Sequence, residues 1–569
     1  MSLELYLLGQ PHAIRDGQPV DTVRGAKAWA LLAYLLLAEG HVGRRSLAAL
    51  LFPDAADPAG SLRWNLSQLR RGLGIALDGD PLTLTLPGET WFDLDVLAHG
   101  GTVEAAAVAL REQELLDGVV LDGLETFSAW LDRERRHVTA LCADGLREAA
   151  VLRLAGGDAQ GAAVLAERVV RIEPFDENAV VMLVRALREA GRPGEAHAVA
   201  AATAVRFHRE LGIEPSSALW SAAHASTGGA ARSGGVVATQ AQLEAGEAAI
   251  AAGLPDAGID ALREALGGAR ALSETGLLAQ ALTTLGSALI HAVRGSDQDG
   301  LALLHEAIPL AAARDLTGIL AKATRELGYV DLLRGRYERA QRWFAAAAEH
   351  AAGDDEELAW IAAFAGAGRT DVADHAVAAD LLNEAVGRAD ASGSLQASAM
   401  ALAMRGRLRL LLLEDRSGAE EDLDRSVAVG STATWRAFMP WPQTLRAEVA
   451  YRNGEVDHAA SILEVAHATS LQVGDPCWES MALRGLGLVR TAGGDVDEGL
   501  GLLQDAPQQC RRLPDTYLWV EAYGLDALAD ISSQRGLDTA THWIGQLEEL
   551  SVRHGMRAMS SNAASYRRR

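Results

Sequence analysis

Residues 41–75, HVGRRSLAALLFPDAADPAGSLRWNLSQLRRGLGI, read as a helix, a turn and a second helix. In the second helix Leu62, Leu66, Leu69 and Leu73 recur at helical spacing and define one apolar stripe. At about 100° per residue, the opposite side carries Trp64, Ser67, Gln68 and Arg71, with Arg63 and Arg70 on a flank. Asp57 can accept the free amides of a first turn, Pro58 suits the first helical position, and Pro53 ends the preceding helix. Arg and Gln pair bidentately with base edges in a major groove, while Ser and further Arg reach phosphate oxygens. The alternative is a solvated helix face that is merely rich in arginine.

The flanks extend the pattern. LELYLLG, HAIR and QPV read as short strands with a turn at Asp16-Gly17, followed by a helix from about Lys27 to Ala38 that Gly40 can terminate. Downstream, Thr83, Leu84, Thr85 and Leu86 alternate, Pro87-Gly88 turns the chain, and Trp91 to Leu94 can return as the partner strand. The expected order is sheet, three helices, hairpin.

Through RGAKAWALLAYLLLAEG, RRSLAALLFPD and LRWNLSQLRRGLG, in that order, the segment resembles the winged-helix DNA-binding domain of the SARP/AfsR-like transcriptional regulators. Residues 126–219, ending in ELGIEPSSAL, resemble the bacterial transcriptional activation domain that follows it in that family. The resemblance covers about the first 225 residues. It implies a sequence-specific DNA-binding regulator, an activator, with double-stranded DNA and RNA polymerase as partners and a homodimer on DNA as one arrangement.

Composition sets outer bounds. A chain of 569 residues exceeds one compact core, so several domains or a repeat array are expected. The net charge of −24 argues against a protein that coats nucleic acid over its whole surface. Between residues 24 and 75, however, Arg24, Lys27, Arg44, Arg45, Arg63, Arg70 and Arg71 outweigh Glu39, Asp54 and Asp57 by +4. The three cysteines, Cys142, Cys477 and Cys510, read as too few and too scattered for a disulfide framework or a metal site, which fits a reducing cytoplasm. No secretory signal is read at the start. The longest apolar run, Ala28 to Ala38, is far below the roughly 20 residues of a membrane span, so no membrane partner is expected.

Beyond residue 140 repetition organises the chain. Leu327, Gly328, Tyr337, Ala340, Phe344 and Ala347 match the tetratricopeptide pattern, in which small residues let two antiparallel helices approach closely. With Ala340 as phase marker, equivalent places fall at Ala162 and Ala196. After the Gly/Ser-rich break at 228–235 they fall at Ala261, Ala302, Ala340, Ala379, Ala419, Ala459, Gly499 and Ala540, in steps of 38–41 residues. Such units cannot bury their apolar faces alone and should stack into a superhelix whose concave groove takes a small ligand or a protein. Most tryptophans there read as packing between repeats. The stretch containing Trp435 and Trp441, broken by two prolines, reads as the candidate ligand contact.

No catalytic, cofactor or metal residues are read. The only lysines, Lys27 and Lys322, do not follow glycine, so the G-K-[ST] phosphate loop of larger relatives is absent. The reading is therefore a non-enzymatic, mainly α protein: a small α+β winged helix (1–98), a helical tetratricopeptide-like activation domain (99–225), a linker (226–240), an α-solenoid (241–555) and a disordered tail (556–569). Base contacts are assigned to Arg63, Ser67, Gln68 and Arg71, and phosphate contacts to Arg44, Arg45 and Arg70, with a wing near Pro87-Gly88 approaching the neighbouring groove. The competing reading is a helical-repeat scaffold that does not bind DNA.

Overall fold

The computed structural model describes residues 2–37, 43–88, 90–119, 121, 123–212, 215, 217–224, 235–272, 274–292, 295–511 and 516–569. Gly40 and residues 228–234 of the Gly/Ser-rich break lie outside them. The chain forms two compact units, Met1–Ala225 and Ser226–Arg569. No helix among the described residues is long and apolar enough to cross a membrane.

In the first unit, β1 (Leu3–Tyr6), β2 (His12–Arg15) and β3 (Gln18–Pro19) precede three helices, α1 (Ala26–Leu37), α2 (Arg44–Leu51) and α3 (Pro58–Leu73). Then come β4 (Ala76–Asp78), β5 (Thr83–Thr85), β6 (Thr90–Phe92), α4 (Asp93–His99) and α5 (Thr102–Ala109). Asp16 and Gly17, both at positive φ, make the tight turn between β2 and β3. The leucine stripe of α3 is buried as its spacing predicts.

The expected hairpin across Pro87-Gly88 does not form. β5 pairs with β4, Leu77 opposite Leu84, so the wing turns at residues 79–82; β6 instead lies parallel to β1, Leu3 opposite Thr90. The alternating Thr-Leu pattern of β5 suits either neighbour. Burial decides, because Phe92 enters the core beside Leu5 while Leu77 and Leu82 anchor the wing.

The boundary expected at residue 98 is a seam. Buried Asp93 accepts the backbone N–H groups of Leu7 and Leu8 at 2.9 and 2.8 Å, tying the end of β1 to α4. Leu116 and Asp117 bond back to Leu7 and Gly9, and Tyr34 of α1 packs on Trp130 with ring centroids 4.7 Å apart. Trp130 belongs to α6 (Glu125–Ala155), which opens a helical layer with α7 (Ala159–Ile172), α8 (Glu177–Glu189), α9 (Pro193–Leu211) and α10 (Ser217–His224). Ala162 and Ala196 are both fully buried, in keeping with the 34-residue step between them.

Among the described residues the second unit is eight helix pairs and a last helix. They are α11/α12 (Val236–Ala251, Pro255–Leu272), α13/α14 (Thr275–His291, Asp297–Ala312), α15/α16 (Thr317–Leu333, Tyr337–His350) and α17/α18 (Asp355–Asp371, His375–Ser392). Then follow α19/α20 (Leu395–Leu411, Arg416–Thr432), α21/α22 (Pro440–Arg452, Val456–Val473), α23/α24 (Pro476–Gly493, Val496–Arg511), α25/α26 (Leu518–Gln534, Ala540–Arg553) and α27 (Arg557–Tyr566). The linker expected to reach residue 240 is helical from Val236. The expected tail is helical too, with Met559, Ala563 and Tyr566 buried.

A small residue on the first helix faces a large one on the second in most pairs: Gly246 and Leu262, Gly286 and Leu304, Gly328 and Phe344, Gly366 and Leu382, Gly406 and Leu423, Gly487 and Leu503. A Cβ added to Gly366 would stand 2.6 Å from Leu382, and one on Gly328 2.7 Å from Phe344. Ala340, Ala419, Ala459 and Gly499 are the buried small residues of their second helices, as the repeat phase predicts. In three pairs the buried position is Gly258, Gly300 or Ala378, where the phase marker reads 261, 302 and 379, and Ala540 is half-buried. Small residues are frequent enough here that neighbours compete for that position. The cysteines are less scattered than their spacing suggests. Cys477 and Cys510 are buried with sulfurs 2.9 Å apart, and their hydrogen bond together with burial pushes the Cys510 thiol well above its usual range.

Candidate DNA interface

Helix α3 is fixed at both ends. Asp57 accepts the Gly60 N–H at 2.8 Å, and Gly74 closes the helix in the left-handed conformation. Between them Arg63, Trp64, Arg70 and Arg71 are exposed and Ser67 is half-buried, opposite the leucine stripe. The helix carries no Asp or Glu. Arg63 reaches Asp57 at 3.4 Å with both side chains 67% exposed, a weak pair that a phosphate can replace.

Three of the expected contact residues have other work. The Gln68 side-chain oxygen accepts the Arg24 N–H at 3.1 Å, on the flank where Gly72 lets residues 22–23 approach closely. That oxygen is therefore committed within the protein, and Gln68 positions the helix. Arg70 donates to the Leu77 carbonyl and clamps the end of α3 to the wing strand. Arg44 donates through its backbone N–H to Asp80 and through Nε to the Gly79 carbonyl, both at 2.9 Å, so the wing turn caps the first turn of α2. These partners lie 7 to 44 residues away in sequence and are invisible to helical periodicity.

Arg45 and Arg71 are exposed, and their side chains make no hydrogen bond or ion pair among the described residues. The open cationic set is thus Arg45, Arg63 and Arg71. The wing adds Asp78 and Asp80 and no cation, so positive charge is concentrated on α2 and α3. Sequence reasoning missed Arg15, whose guanidinium lies over Gly74 at the negative end of the α3 dipole. Its place on a strand gave no helical signal.

In the repeat array the other two expected residues have different surroundings. Trp441 is 1% exposed, with ring centroids 4.9 Å from Trp478 and 5.9 Å from Trp519, so it is core and not a ligand contact. The prolines around it begin α21 and do not open a loop. Trp435 is half-buried, stacked on Phe438 at 4.3 Å and edge-on to Trp360 at 5.9 Å. Beside Trp441, fully buried Arg407 bonds Asp371 at 2.7 Å and the Ala367 carbonyl at 3.0 Å, its guanidinium 4.3 Å from the Trp519 ring. Residues of α17, α19, α21 and α25 meet there, so first helices of non-adjacent pairs close on one another and fill this part of the interior with their own side chains. Burial pushes the Asp371 carboxyl up to about 6 against the pull of Arg407. Burial also acts on Glu448, but Arg484 and Arg452 overcome it and hold that carboxyl at about 2.

Residues 95–225 match the family described as the bacterial transcriptional activator domain. No curated protein matches the sequence. Among solved structures, the chain is similar to Mycobacterium tuberculosis EmbR in complex with a low-affinity phosphopeptide, at 23% identity over 39% of this chain and 64% of that one, TM-score 0.32. It therefore spans just under two thirds of that relative. It is similar also to a Rap protein complexed with competence and sporulation factor (12% identity, 58% of this chain, 96% of that one, TM-score 0.42). A third is aspartyl phosphate phosphatase F from Bacillus subtilis (11%, 72% and 93%, TM-score 0.38). Residues 95–225 thus match a bacterial transcriptional activator domain, with a strand–helix–wing unit before that segment and helical repeats after it.

Proposed function

We propose that this protein is a cytoplasmic, sequence-specific DNA-binding activator of transcription, acting by binding and not by catalysis. Helix α3 enters the major groove, Arg63, Ser67 and Arg71 meet base edges, and Arg45 meets phosphate. The observation that carries this reading is the pair of exposed arginines Arg63 and Arg71 on a capped helix without carboxylates, with exposed Arg45 on α2, in the same compact unit as the activator domain. RNA polymerase is the partner that an activator domain implies, two copies on DNA fit a repeated operator, and the array is the input surface for a signal. Selection of genomic fragments by the full chain, followed by binding across salt concentrations, tests the reading. Affinity should fall steeply with salt because phosphate contacts release counterions, whereas a scaffold selects no fragment.

Arg71→Ala and Arg63→Ala are each expected to weaken operator binding by about 1–3 kcal/mol if bidentate, with the circular dichroism of the fold unchanged. Arg44→Ala and Arg70→Ala should instead lower the melting temperature of the first unit, because each removes a bond that holds the wing. Equal affinity for wild type and both Arg63 and Arg71 variants would rule out this face of α3.

Residues 1–225 alone are expected to fold and select the same operator as the full chain, since the compact unit ends there. A soluble, folded fragment that selects nothing would assign DNA recognition to both units together.

A further inference from the structure

We propose that Trp64 reads sequence in this interface, its indole packing on the 5-methyl group of a thymine, so that the operator requires thymine where Trp64 meets it. The inference rests on the DNA-binding reading above. Trp64 is 61% exposed, the most exposed large aromatic side chain among the described residues, and it stands on the outer face of a helix fixed at both ends. Ser67 and Arg71 follow it by three and seven residues, so the three share one stripe, with Arg63 adjacent. An apolar ring held in water gains by meeting an apolar surface. Charge selects the surface: the helix has Arg63, Arg70 and Arg71 and no carboxylate, which fits a polyanion.

In duplex DNA the base faces remain stacked. The thymine methyl is the apolar group that a base edge presents in the major groove, and an α-helix fits that groove. A ring between arginines that reach phosphate or guanine is therefore placed to meet a methyl, and no base that lacks one satisfies it equally.

The test replaces each thymidine of the selected operator, one at a time, by deoxyuridine, which removes only the methyl group. Binding is then measured for the full-length wild type, Trp64→Ala and Trp64→Phe, with circular dichroism as the check on folding. One deoxyuridine position is expected to weaken wild-type binding about fourfold, the value of one buried methyl-sized group. Trp64→Ala should lose affinity for the thymidine operator and show no further loss at that position, and Trp64→Phe should keep part of the discrimination. Wild-type binding indifferent to every deoxyuridine, or a sensitive position that stays equally sensitive in Trp64→Ala, overturns the inference while leaving the DNA-binding reading in place. So does a Trp64→Ala variant that binds DNA normally per protomer but loses self-association in sedimentation, which would make Trp64 a contact to a second copy. Failure to select any operator removes the DNA-binding reading, and this inference with it.

Discussion

Replacing Arg407 by alanine is expected to destabilise the helical array by about 3–5 kcal/mol at pH 8, the cost of leaving a buried carboxylate without its counter-charge. Arg407 and Asp371 are both fully buried, 2.7 Å apart, and Tyr337 stands beside the same carboxyl. The deficit should depend on pH in a defined direction. In the folded chain burial raises Asp371 from its ordinary value to about 6, so the native state binds this proton more tightly than the unfolded chain does. The stabilisation from that proton is complete below about pH 4 and is lost as pH rises through about 6. At pH 5 the carboxyl left by Arg407→Ala can take up a proton, and the deficit should shrink. Asp371→Asn should remove this component of the pH dependence. Urea unfolding of the full chain at pH 5 and pH 8, followed by circular dichroism, measures both; a deficit equal at the two pH values would show that Asp371 is not the group left uncompensated.

Trp441→Ala is expected to cost a similar amount, about 3–5 kcal/mol, because it empties the volume of an indole from a closed aromatic cluster. The ring is 1% exposed and is surrounded by Trp478, Trp519, Tyr517 and the Arg407 guanidinium. Trp435→Ala, at a half-buried ring stacked on Phe438, should cost clearly less. Paired unfolding curves decide between a core role and a ligand contact. A Trp441→Ala protein that unfolds like wild type but loses a signal response in a transcriptional reporter would restore the ligand reading for that residue.

The leucine stripe of α3, its Asp57-Pro58 start, the Asp16-Gly17 turn and the spacing of the repeats were all legible in the linear sequence. Each is a local property: 3.6-residue periodicity, a cap two or three residues from its amide, a turn that needs positive φ, a small residue where two helices cross. The open arginines Arg63 and Arg71 could likewise be named from their place opposite or beside that stripe. Tertiary structure alone decided that Arg44 and Arg70 hold the wing, that Gln68 is bound to the Arg24 amide, and that β6 joins β1 and leaves β5 to β4. It also turned Trp441 inward against Trp519, 78 residues away, and brought Cys477 to Cys510. The physical reason is common to these cases. A side chain's type and periodicity determine which face of its own element it occupies, but whether its polar atoms remain open to a ligand depends on which distant backbone or ring that face meets, and no local pattern carries that information.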